Sequence, residues 1–480
     1  MTSAPSRETA VEIVRRLQAA GFAAFWVGGC VRDFLLGRKP QDYDIATDAK
    51  PDQVEKLFQR TLAVGRKFGV MIVAEAKHQF QVATFRAEAD YRDGRRPARV
   101  VFASADADAQ RRDFTVNGLF YDPVAKKLHD WVGGEKDLRA KIIRTIGPPE
   151  ERFAEDHLRL LRAVRFAAQL DFEIEPQTFA AVKSLAPKIK LISAERIRDE
   201  LIKLFAPSPL GVPPSGGAQR LPSKPLEGGT PNRSQAARGL ILLRESGLLE
   251  HILPELAATI SCGQSPDYHP EGTVFEHIRL MLEQLPPRPP LNRSSGAARA
   301  HESLPWAVIL HDIGKPVTAE RDAVTGNIHF YEHEKIGAAM AERILRRLRF
   351  PKKQIEEIVA CVRQHMQFKD VKQMRTATLR RLLLRETFPL ELELHRLDCL
   401  GSHGDLGHYD FLVEQAAELR KKPTIRPPLL TGKDLITLGM KPGPAMGALL
   451  SEIRERQLQD ELKTPLQARR WAKTRIKNAR

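Results

Sequence analysis

Asp42 and Asp44 are separated by a single residue in the stretch VGGCVRDFLLGRKPQDYDIATD. In extended backbone, side chains two apart leave on the same face, so these two carboxylates are expected to converge on one point. Two oxygen ligands placed in this way hold Mg2+. The pair follows Gly28 and Gly29, which let backbone N–H groups approach phosphate oxygens closely, so the expected chemistry is metal-assisted transfer on a nucleotide. An isolated Asp-x-Asp is more often a turn or a helix cap; the elements around this one separate it from those. Ala24 to Val27 is an apolar run that reads as a strand, ended by the two glycines. Val31 to Leu36 reads as a short helix with its N-terminus toward the anion and with Arg32 and Asp33 in its first turn. Tyr43 and Ile45 alternate with the acids, the pattern of a half-buried strand carrying a metal site on its wet edge.

Those elements sit in a chain of 480 residues, long enough for two to four domains. The net charge of +16 and a pI near 9.7 favour a polyanionic partner, nucleic acid before membrane. Cys30, Cys262, Cys361 and Cys399 lie far apart without a CxxC pair, which points to reduced thiols and a cytoplasmic protein. The first residues carry charges where a signal peptide needs its apolar core, and no apolar run is long enough for a membrane span. Periodicity predicts a helix over 8–20, strands near 24–28, 42–47, 68–76 and 79–86, and a helix over 51–60. Strand signals fade after residue 135, and from Glu155 the pattern is helical. The fold class expected is therefore a small mixed α/β head on a long, mostly α-helical body. Residues 207–238 and 285–303 are rich in Pro, Gly and Ser and read as mobile insertions.

Four ordered motifs in the first 205 residues give this organisation a family likeness. GGxxRDxLLGR with DxDIATDA, RRDFTVNGLFYD (Arg111 to Asp122), EDHLRLLRAVRF (Glu155 to Phe166) and ISAERIRDEL (Ile192 to Leu201) resemble the class II nucleotidyltransferases. That family comprises the CCA-adding enzymes of tRNA and the bacterial poly(A) polymerases. The resemblance implies a polymerase-β-like palm with Asp42 and Asp44 as catalytic Mg2+ ligands and Gly28, Gly29 and Arg32 on the triphosphate. It also implies that Arg111, Arg112, Asp113 and Asn117 contact triphosphate and ribose. Asp156 and Arg159, one turn apart on a helix, would read the pairing edges of the base, with Arg162 and Arg165 continuing the basic face. Residues 90–101, with Arg92, Asp93, Gly94 and Arg95, match the family's flexible loop. Where family members usually carry Glu, this chain has Gln81; a third metal contact would then be weaker, or supplied by another acid such as Asp113.

A second likeness lies downstream. HDIGKP (His311 to Pro316) resembles the signature of HD-domain phosphohydrolases, in which the adjacent His-Asp pair gives a metal two ligands of different hardness. His277, His333, His365 and Asp398 follow the expected order. With His311 and Asp312 they would hold one or two divalent ions (Mg, Mn, Ni or Co), and Lys315 would contact phosphate. Residues 429–457 resemble the family's C-terminal tail, and residues 460–480 hold seven Lys or Arg against two acids.

The domains expected are a head over 1–150, a neck over 151–206, an insertion over 207–238, an HD domain over 239–425 and a basic RNA-binding tail over 426–480. The function implied is CCA addition to tRNA from CTP and ATP. The alternatives are a poly(A) polymerase, an enzyme adding only C or only A, and, from another class, a metal-dependent RNA-end phosphohydrolase.

Overall fold

The computed structural model describes residues 6–66, 69–76, 78–91, 97–206, 234–266, 269–286, 296–324, 326–421, 428–459 and 461–478. Arg92, Asp93, Gly94 and Arg95, expected in a loop over the site, lie outside the described residues, as do 207–233 and 287–295. The chain divides into two compact units, one holding the residues through Ala257 with Arg347–Phe350, the other holding most of the remainder.

The first unit opens on a helix, Arg7–Ala19, whose Ala10, Ile13, Val14 and Leu17 form one buried stripe. Ser6 caps it by accepting from the Thr9 amide at 3.1 Å. The stripe lies against the head sheet, where Trp26 Nε1 donates to the Ala10 carbonyl at 3.3 Å. The strands are β1 (Ala24–Val27), β2 (Ile45–Thr47), β3 (Thr61–Gly65), β4 (Val70–Glu75), β5 (His78–Thr84), β6 (Arg86–Tyr91), β7 (Pro97–Phe102), β8 (Phe120–Asp122) and β9 (Lys127–His129). Seven of them form one sheet in the order β3-β4-β5-β2-β1-β8-β9, and β6 and β7 make a separate antiparallel hairpin. β2 is buried at all three positions because it lies between β1, antiparallel, and β5, parallel. The first acidic strand is shorter than expected: β2 starts at Ile45, and Asp42 and Asp44 lie in the extended segment just before it. The helix expected over 51–60 ends at Leu57, and β3 follows it.

The body of this unit is helical: Pro149–Glu155, Leu158–Leu170, Pro176–Leu185, Ala194–Phe205 and Gln235–Glu245. Leu158–Leu170 is its axis, with every residue but Arg162 and Gln169 buried. The stretch 207–238, expected to be an insertion throughout, is already helical from Gln235. Ala236 and Ala237 are core residues there, and a Cβ on Gly239 would stand 2.5 Å from Leu204. Small residues that compose a linker also let two helices approach closely.

The second unit gathers the helices Val274–Glu283, Gly296–Leu310, His333–Arg347, Lys352–Gln364 and Phe388–Gly401. The helix from Gly296 occupies the end of the stretch 285–303 that composition assigned to an insertion. A hairpin, Ala319–Arg321 with Ile328–Phe330, corrects the expectation of helix alone after Glu155. The tail (Gly432–Thr437, Pro444–Leu458, Pro465–Asn478) closes over its own core of Leu435, Leu449, Ile453 and Ala468. An α/β head followed by a mostly α-helical body is thus the observed architecture. Among the described residues no helix is long and apolar enough to cross a membrane.

Candidate active site and metal centre

The glycine turn comes from β1 running into the helix Gly29–Leu35. Gly28 has φ +73°, a left-handed value, and a Cβ there would stand 2.9 Å from an Arg112 guanidinium nitrogen. Only glycine serves at this position. Val27 N donates to the Asp44 carbonyl at 3.0 Å, which holds the acidic segment alongside β1. Tyr43 and Ile45 are buried, Asp42 is exposed and Asp44 partly so. Burial, then the charge of Asp42, pushes the Asp44 carboxyl up to about 6, against the pull of Arg112. Asp42, Asp44 and Arg112 are therefore close enough to act on one another. A half-buried carboxylate whose ionisation is opposed by burial and by a neighbouring carboxylate suits a divalent cation, whose charge removes the repulsion. The same two charges, after burial itself, raise the Cys30 thiol to about 12.

Arg112 is anchored by Asp108 at 3.0 Å and lies over the Phe120 ring, but its buried Nε has no hydrogen-bond partner. A basic group fixed against the glycine turn and left incompletely paired suits a phosphate oxygen. Arg32 is 5% exposed, its guanidinium divided between Asp33 (2.7 Å) and Asn117 (2.8 Å).

Gln81 lies on β5, where the parallel register pairs Val82 with Ile45. Val82 and Ile45 are both buried, so Gln81 and Asp44 lie abreast on the opposite face. Asp113 is not a substitute ligand. Its Oδ2 accepts Arg162 at 2.8 and 2.5 Å, its Oδ1 accepts Asn117 at 3.1 Å and the Phe114 amide at 2.8 Å, and burial is overcome by these partners so that its pKa falls to about 2. It joins the head to the neck.

The neck residues differ from expectation. Asp156 is not on the helix with Arg159; it sits between two helices with extended dihedrals, caps the second through the Leu158 amide at 3.1 Å, and pairs with Arg196 at 2.6 Å. Arg159, 8% exposed, donates to the Arg152 carbonyl at 2.9 Å and to Glu155. Arg165, expected to continue the basic face toward triphosphate or core, is 6% exposed and paired with Glu200 at 2.5 Å. Of the three arginines on Leu158–Leu170, Arg162 keeps the most exposure, 30% of its side chain.

The second unit brings all six predicted metal ligands together. His277 and Asp398 lie within helices; His311 and Asp312 follow one, His333 begins one and His365 ends one. Asp312 is the hub, with Oδ2 3.1 Å from His311 Nε2 and Oδ1 3.4 and 3.6 Å from His333 and His365. His277 Nε2 is 3.0 Å from Asp398, and His333 and His365 approach at 3.2 Å through Nε2. Lys315 Nζ sits 2.7 Å from Asp312 and donates to Gln264 at 2.6 Å. The glycine of the motif is steric: a Cβ on Gly314 would stand 2.3 Å from the His333 carbonyl oxygen. Burial is overcome by His311 and Lys315, which hold Asp312 well below the usual carboxylate range. His311 Nε2 is buried without a hydrogen bond. Buried imidazoles presenting Nε2 to shared carboxylates fit a divalent metal.

Three family models match the chain: the poly A polymerase head domain over residues 24–144, the probable RNA and SrmB-binding site of polymerase A over 171–208, and the HD domain over 274–400. A CCA-adding enzyme of Staphylococcus aureus strain MRSA252 is 46% identical over 199 residues, 41% of this chain and 50% of the relative. The chain thus spans about half the length of the curated relatives it matches. The Bacillus stearothermophilus CCA-adding enzyme in complex with CTP superposes with a TM-score of 0.70 at 26% identity, covering 98% of both chains. The chain is thus similar to CCA-adding enzymes and carries matches to the poly A polymerase head, its RNA-binding segment and the HD domain. A Thermotoga maritima CCA-adding enzyme complexed with tRNA shares the fold at a TM-score of 0.55 and 17% identity, covering 99% of this chain and 97% of that one. Within the family frame, motif reading overlooked Asp108, Arg196 and Glu200, the buried or half-buried partners that set Arg112, Asp156 and Arg165. Asp108 had a local signal, an acid three and four residues before Arg111 and Arg112; Arg196 and Glu200 had none, being some 35–40 residues away from their partners.

Proposed function

We propose that this chain is a tRNA nucleotidyltransferase that adds CCA to the 3′ end of tRNA from CTP and ATP. The carrying observation is that Asp42 and Asp44 lie within electrostatic reach of Arg112, whose guanidinium stands against the Gly28 turn. Asp42 and Asp44 would hold Mg2+, which when bound lowers the pKa of the attacking 3′-hydroxyl and neutralises departing pyrophosphate. Arg112, Gly28 and Gly29 bind the triphosphate, and Arg32 and Asn117 brace the turn beneath it. Asp156 and Arg159 supply acceptor and donor groups to the base edge. Both are paired within the protein, Asp156 to Arg196 and Arg159 to Glu155, so base recognition works by exchange of these partners rather than by filling empty valences. Basic residues of the tail hold the RNA backbone.

The test is incorporation on tRNA lacking its end, with each nucleoside triphosphate alone and with CTP and ATP together. Two C residues followed by one A are expected. Extension of arbitrary RNA by ATP alone would assign a poly(A) polymerase instead, and addition that stops after C or needs a C-ended substrate would assign a partial enzyme. A second activity is supported by the buried His-Asp cluster: hydrolysis of phosphate esters at RNA ends with a divalent ion held by His277, His311, Asp312, His333, His365 and Asp398.

A further inference from the structure

His311, His333 and His365 share one device. Each places Nδ1 on the carbonyl oxygen three residues back: Val308 at 2.8 Å, Phe330 at 2.8 Å and Val362 at 2.7 Å. The proton stays on Nδ1 and the Nε2 lone pair is left for a metal. His277 differs. Its nearest carbonyl on Nδ1, that of Gly401, is 3.4 Å away, while Glu271 Oε1 stands at 2.7 Å. Its Nε2 faces Asp398 and the cluster.

Glu271 is built into this position. The same oxygen accepts His269 Nδ1 at 2.8 Å, the side chain is 6% exposed, and the His269 ring stands edge-on to His277 with centroids 4.9 Å apart. Backbone bonds on either side pin the loop, Gln264 N to the Gly272 carbonyl at 3.0 Å and Val274 N to the Cys262 carbonyl at 2.9 Å. The other Glu271 oxygen is buried without a hydrogen bond, a cost the protein carries beside the cluster.

We propose that Glu271 is the positioning residue for His277, holding its proton on Nδ1 and its Nε2 toward the metal, with His269 fixing Glu271 in turn. The inference rests on the reading that the cluster binds a divalent ion. His269, Glu271 and His277 also lie close enough to ligate an ion themselves. That arrangement would require His277 to bridge two ions through both nitrogens as an imidazolate, whereas a carboxylate behind a neutral ligand needs no extra deprotonation.

The test is a Co2+ titration of the full chain, followed by visible absorption for affinity and stoichiometry, with metal-free melting as the folding control. E271A is expected to bind Co2+ about 10–100-fold more weakly at unchanged stoichiometry. E271Q, which keeps an acceptor but not the charge, should fall between, and H269A should lose a few-fold. Wild-type affinity in E271A overturns the proposal, as does loss of one whole equivalent of Co2+ with the rest unchanged, which would make Glu271 a ligand. Should E271A fail to fold, wild-type affinity in both E271Q and H269A overturns it. A wild-type chain that binds no Co2+ removes the metal reading itself, and the proposal with it.

Discussion

At the scale of single residues, the head site holds charge at a cost. Asp44 titrates near 6 because burial, and then Asp42, oppose its ionisation. An unfolded chain loses that proton near pH ~4, so in metal-free protein this group favours the folded state most below pH ~4, and the advantage is lost as pH rises to about 6. Asp44→Asn should therefore melt higher than wild type at pH 7 in chelator, while nucleotide incorporation falls about a thousandfold, the several kcal/mol expected of a lost metal ligand. Differential scanning calorimetry beside an incorporation assay checks both signs. A variant that melts lower without metal contradicts the electrostatic account of the site.

At the scale of elements, the joints are made by buried ion pairs. Asp113 ties the motif after the hairpin to Arg162 on the neck helix, and Arg165 ties that helix to Glu200. Asp113→Asn removes the closest charge from Arg162, whose next carboxylate, Glu200, is 3.7 Å away, and should cost about 2 kcal/mol in urea unfolding at pH 7. Because the folded pKa of Asp113 is about 2, below its ordinary value, this stabilisation is present above pH ~4 and fades as pH falls toward 2. The difference between variant and wild type should shrink over that same window. In the second unit, five helices each carry a ligand of the cluster within them or at an end. Mn2+ at a hundred times its dissociation constant should add about 2.7 kcal/mol to unfolding, and the increment should be absent in Asp312→Ala, read by chemical denaturation with and without chelator.

At the scale of the whole molecule, the excess of +16 charges is an electrostatic property rather than a fold property. Much of the neck's basic charge is spent internally, on Asp113, Asp156 and Glu200. The tail is different: Arg470 and Lys473 are exposed on the helix Pro465–Asn478. Affinity for tRNA should fall steeply with salt, and Arg470→Ala and Lys473→Ala should each lower the slope of log affinity against log salt by about 1. Filter binding from 50 to 300 mM salt measures this; unchanged slopes would remove the tail from the RNA contact.

Motif spacing alone pointed to the two candidate centres, because each rests on residues whose order along the chain is itself the signal: Asp42 and Asp44 two apart, His311 beside Asp312, a glycine where Arg112 or His333 leaves no room for Cβ. The short strands β3, β8 and β9 escaped notice because three to five residues are too few to establish a period, and Ala236, Ala237 and Gly239 read as linker because only a neighbouring helix turns small residues into core. Tertiary structure also decided which arginines are free. A charge of +1 reads the same in any sequence, but Arg165 faces Glu200 and Asp156 faces Arg196 only once the neck helices pack, and whether a charged group meets a partner or a ligand depends on distances that pairing across the fold sets.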